Sequence, residues 1–105
     1  MAQKKLFSEL VDGGSTATAR TLLTFTMPRD GVLFGAYLVQ TTAQTLTLQI
    51  VRGGTTYEMF ETTNLVDSIN VPITLNDGDA IRWEVTTGAA GTADAGLFGE
   101  YLDAD

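Results

Sequence analysis

The chain has 105 residues and 11.2 kDa, the size of one domain. Area scaling gives roughly 5,700 Å² folded against roughly 16,000 Å² unfolded, so one core forms without metal or disulfide staples. Histidine and cysteine are both absent. That excludes histidine-dependent triads, histidine or thiolate zinc sites, c-type haem and iron–sulfur clusters. Thirteen acids against six bases give a net charge of −7, which repels nucleic acid.

Met1-Ala2-Gln3-Lys4-Lys5 has the charge of a signal-peptide start. The apolar stretch behind it, Leu6 to Val11, is too short for a signal core and contains Ser8 and Glu9. A soluble chain without membrane contact is expected. Leu6, Phe7, Leu10 and Val11 fit one face of a short helix, and the same segment also reads as a first strand or an arm. Residues 1–12 are therefore set apart as an N-terminal arm or first strand, and residues 13–105 as the main domain.

From Arg20 onward two-residue alternation predicts strands with one wet face. Leu23, Phe25 and Met27 alternate with threonines up to Pro28. Residues 31–41 form the next strand, and Leu46, Leu48 and Ile50 mark the one after it. Arg52-Gly53-Gly54-Thr55 has the form of a tight hairpin turn into a strand over 55–61. Ile69, Val71, Ile73 and Leu75 alternate around Pro72, which donates no ladder hydrogen bond and so predicts an edge or a bulge. Ile81, Trp83 and Val85 follow the Asn76-Asp77-Gly78-Asp79 turn, and a last strand covers 93–102. About eight antiparallel strands in 105 residues predict an all-β, single jelly-roll β-sandwich.

Two strands, 32–39 and 97–102, are apolar on both faces. A domain of this size has one core, so the second face needs another partner. Tyr37, Phe98, Tyr101 and Leu102 are the candidate subunit-interface residues.

The acidic turn at Asp77 and Asp79 offers oxygen ligands but lacks the spacing of a calcium loop, and it reads as a backbone turn. Glu58 with Glu61, or Asp77 with Asp79, would need a pocket to act as an acid–base pair. The serines have no histidine to activate them. No catalytic residue, metal ligand or cofactor is assigned. Trp83 is in phase with Ile81 and Val85 and reads as core; a sugar platform on Trp83 or Tyr57 is the alternative. Residues 1–29 balance at +2 and residues 77–105 at −6. This asymmetry makes Lys4, Lys5, Leu6, Phe7, Leu10 and Val11 a candidate arm for docking on an acidic surface.

The stretch Ile73 to Val85, followed by a glycine-rich loop and Gly96-Leu97-Phe98-Gly99-Glu100-Tyr101-Leu102, resembles the end of a C1q/TNF-like jelly roll. That resemblance places Gly78 and Asp79 at a strand-opening turn and Phe98, Gly99, Tyr101 and Leu102 along a threefold axis. In size, acidity and threonine and glycine content the chain also resembles tailed-phage capsid decoration (cement) proteins of jelly-roll type. The resemblance implies a homotrimer on the outside of a virion, synthesised in a host cytoplasm, with the major capsid protein as partner, the 4–11 arm as the capsid-binding segment and no enzymatic activity. The alternative is a small binding module for carbohydrate or a host receptor.

Overall fold

Nine antiparallel strands account for most of the computed structural model, which describes residues 5–70 and 72–102; no helix occurs among them. They are β1 Lys5–Ser15, β2 Arg20–Thr26, β3 Gly31–Gln40, β4 Leu46–Arg52, β5 Thr55–Thr62, β6 Val66–Ile69, β7 Ile73–Leu75, β8 Ala80–Val85 and β9 Thr92–Tyr101. A front sheet runs β1-β9-β3-β6, with β7 also paired to β3, and a back sheet runs β2-β8-β4-β5. The chain alternates between the sheets as a jelly roll does, and β6 and β7 together fill one strand position along β3.

The predicted strand around Pro72 is thus two short ones, with Val71 outside the described residues. Proline has no N–H for a ladder, and the segment lies at the sheet edge where that loss is tolerated. The hairpin between β4 and β5 turns on Gly53 and Gly54, both at positive φ (59° and 80°), as a two-residue turn of this hand requires. The segment left open between helix, strand and arm is β1 over residues 5–15, paired along its length with β9.

Leu46, Leu48 and Ile50 of β4 and Ile81, Trp83 and Val85 of β8 point inward from the back sheet. Leu33, Ala36 and Leu38 of β3 and Ala93, Ala95 and Leu97 of β9 meet them from the front. β2 carries a bulge between Thr21 and Leu23, and the extra residue, Leu22, is buried as well. Trp83 is fully buried, packs edge-on against Phe60 (ring centroids 6.4 Å apart) and donates its indole N–H to the Gly96 carbonyl at 3.1 Å. That bond crosses the sandwich from β8 to β9.

Replacing Trp83 therefore removes volume and a cross-sheet donor together. Trp83→Ala is expected to lower the unfolding free energy by about 3–5 kcal/mol. Trp83→Phe should cost about 1–3 kcal/mol, because the Gly96 carbonyl loses its donor. Urea titrations followed by circular dichroism check both.

Candidate functional site

Each strand of the front sheet has a second set of side chains facing away from the core. On β1 these are Leu6, Ser8 and Leu10, and on β9 Asp94, Gly96, Phe98 and Glu100. On β3 they include Tyr37 and Val39, with Phe34 in a bulge between Leu33 and Gly35, and on β6 Val66 and Ser68. Leu6, Leu10, Phe34, Tyr37, Val39, Val66 and Phe98 are each between 37 % and 75 % exposed. The outer face of the front sheet is therefore largely apolar.

The two aromatic rings at its centre are arranged reciprocally. Gly35 of β3 stands opposite Phe98 of β9, and Tyr37 of β3 stands opposite Gly96 of β9. A Cβ at Gly35 would lie 2.6 Å from the Phe98 ring, and one at Gly96 would lie 2.4 Å from the Tyr37 ring. Each ring thus lies over bare glycine backbone of the neighbouring strand, which keeps this part of the sheet surface flat. At one margin Leu6, Ser8, Phe34 and Phe98 line a shallow cavity of about 290 Å³.

The outer face of the back sheet is the opposite in character. Thr24 and Thr26 are exposed there, and Arg82 donates to Gln49 Oε1 at 3.0 Å while standing 3.5 Å from Glu84. Thr21 hydrogen-bonds Glu84, and Thr47 bonds Thr86. Glu58 and Glu61 face outward on β5, opposite Gln49 and Thr47. They sit on a wet surface and line neither of the two clefts between and beside the sheets.

The predicted interface residues separate into two groups. Tyr37 and Phe98 come together at the centre of the front face. Tyr101 falls on the inward alternation of β9, where its ring packs 5.1 Å from Phe7 and carries the Arg29 guanidinium 5.2 Å from its centroid. Leu102 follows the end of β9, exposed, with its N–H donated to the Asp30 carbonyl. Phe34, Val39, Val66 and Leu10 belong to the same face and were not singled out as interface residues. Phe34 is shifted by its bulge, and Val66 lies on a strand too short to show alternation.

The predicted arm divides in the same manner. Phe7 is buried and stacks 5.2 Å from Phe25, and Val11 packs against the core. Lys5, Leu6 and Leu10 are exposed, and Lys4 lies outside the described residues.

At the other end of the sandwich, Asp79 is only 2 % exposed. It receives Arg52 Nη2 at 2.6 Å, Arg52 Nε at 3.0–3.1 Å and the Asn76 N–H at 2.7 Å. The Arg52 guanidinium, helped by that N–H, holds the Asp79 carboxyl below its ordinary range despite its burial. Asp77 donates its N–H to Asp30. The carboxylates of Asp79 and Asp30 thus serve the fold. At the opposite end the β1 bulge sets Asp12 beside Asp94, which raises the Asp12 carboxyl by hydrogen bonding and by its charge. Between β5 and β7, Ile50, Arg52, Tyr57, Met59, Ile73 and Thr74 line a cleft of about 400 Å³. Trp83 has no part in it, so of the two aromatic platforms considered only Tyr57, half exposed, is accessible.

No family model matches the sequence, and no curated protein does. Solved structures similar to it include the nucleoplasmin-like N-terminal domain of Drosophila FKBP39, at 16 % identity and a TM-score of 0.62, covering 97 % of this chain and 92 % of that one. The shared property is the β-sandwich fold. A structure of infectious bursal disease virus Gx strain aligns at 17 % identity and a TM-score of 0.36, covering 95 % of this chain and 31 % of the viral one.

Because its pKa is lowered in the folded state, Asp79 contributes stability that is present above the ordinary carboxylate value near pH 4 and is lost as pH falls through the lowered value. Asp12, raised by Asp94, has the opposite sign: its unfavourable contribution is relieved on acidification. The urea midpoint should therefore fall between pH 5 and pH 2 in the wild type. Asp79→Asn should lower the midpoint at pH 6 and flatten its dependence on acid.

Proposed function

We propose that this protein is a non-enzymatic virion structural component, a decoration or cement protein that binds the outside of an assembled phage head as a homo-oligomer. The contrast between the two outer faces carries this reading. One face of the sandwich is threonine, glutamine and ion pairs, while the other is two aromatic rings and five aliphatic or aromatic neighbours. An apolar patch on that scale is a surface that a partner covers.

The mechanism is mass action. A subunit that binds the assembled shell and not its free components stabilises the shell. The major capsid protein is the partner, and neither nucleic acid, membrane, metal nor cofactor takes part. The shell contact falls to the exposed positions of β1, namely Lys5, Leu6 and Leu10, at the free edge of the front sheet. Each leucine buried there contributes roughly 1.5–3 kcal/mol, and several copies in one oligomer add avidity. The alternative, a binding module for carbohydrate or a host receptor, rests on Tyr57 and the cleft between β5 and β7.

Co-sedimentation with phage heads lacking this protein tests the proposal. The wild type should pellet with heads, and Leu6→Lys/Leu10→Lys should bind at least tenfold more weakly while keeping the wild-type circular dichroism. A folded wild type that stays in the supernatant overturns the decoration reading.

A further inference from the structure

We propose that copies of this chain meet one another through the outer face of the front sheet over β9, β3 and β6, with the Tyr37–Gly96 and Phe98–Gly35 pairs at the centre. This rests on the reading of the protein as an oligomeric shell component, and it assigns the β1 margin to the shell and the rest of the face to other copies.

The back sheet serves as an internal comparison. Both sheets have an inner face in the same core and an outer face toward water, so alternation should make both outer faces polar. The back sheet obeys, down to the Arg82 pairings with Gln49 and Glu84. The front sheet does not, at Phe34, Tyr37, Val39, Val66 and Phe98. From their fractional exposures these five side chains leave roughly 500 Å² of apolar surface in water.

Area identifies the occupant. Two such patches face to face remove roughly 1,000 Å² of apolar surface, and with a polar rim of about one-third the total reaches roughly 1,500 Å², the size of a standard stable interface. Shape agrees with this. Because each ring lies over a glycine of the neighbouring strand, the centre of the patch is flat, and a flat sheet face is matched by another like it. Charge agrees as well. The described residues of this face include no lysine or arginine, and its acids, Asp94 and Glu100, stand toward the two ends of β9. A second copy brings apolar centre against apolar centre and leaves the acids at the rim, whereas an acidic lipid surface finds no cation on which to dock.

Absence of cysteine from the chain makes the test direct. Ser68→Cys places a thiol on the proposed interface, opposite Tyr37, and Thr24→Cys places one on the outer face of the back sheet. Full-length protein at about 100 µM should sediment as an oligomer. In it the Ser68→Cys thiol should react with a bulky maleimide at least tenfold more slowly than the Thr24→Cys thiol. Adding Phe98→Lys should yield monomers and abolish that difference. Val39→Lys, at a position whose side chain already stands in water, gives the same readout if Phe98→Lys does not fold. A wild type that remains monomeric, or an oligomer in which the Ser68→Cys thiol is as reactive as the other, overturns the proposal. Binding to heads is measured separately. A monomer that still binds heads sinks this interface and the oligomeric state but leaves the decoration role, and an oligomer that ignores heads sinks the decoration role alone.

Discussion

Gly96 is the residue on which both surfaces of the front sheet depend. From inside the sandwich its carbonyl accepts the indole N–H of Trp83, the largest buried side chain. From outside, its missing side chain lets the Tyr37 ring lie on the backbone. Core and surface are thus joined through a single peptide of β9. A side chain at this position would displace the ring outward, and any shift of the strand would strain the one hydrogen bond by which the indole ties the two sheets together.

Much of the strand pattern could be read from the sequence, because in most strands only one face is apolar. β4 and β8 alternate cleanly, and their inward residues Leu46, Leu48, Ile50, Ile81, Trp83 and Val85 are all buried. β1 was ambiguous for a physical reason. It buries Phe7 and Val11 on one side and presents Leu6 and Leu10 on the other, so its apolar residues fall in adjacent pairs that imitate a helical stripe. Bulges were invisible for a related reason. An extra residue at Leu22, Phe34 or Met59 resets the alternation without any turn residue to announce it. That Tyr101 faces inward while Phe98 faces outward follows from their odd spacing, and Asp94 and Glu100, in phase with Phe98, mark that phase as the outer one.

The buried polar groups lie where the strands end. Gln40 occupies an inward position at the end of β3 and gives its amide to the carbonyls of Gln44 and Asn64. Asp79 gathers Arg52 and Asn76 at the opposite end. Loops at both ends are thereby tied to buried side chains, which leaves the broad outer faces as the large surfaces not engaged in holding the fold. Of these, one is polar and one is apolar.

The sandwich has four borders, and each is interrupted. β1, β2 and β5 each contain a bulge, and the fourth border is broken between β6 and β7 around Pro72. Such interruptions hinder strand addition from neighbouring molecules. The distinction matters for how the protein behaves when concentrated. Edge pairing regenerates an edge with every molecule added and so grows into ribbons without limit, whereas a sheet face is used up once it is covered. Broken borders and one apolar face thus favour a closed assembly, the form the proposed pairing takes, over an open ribbon.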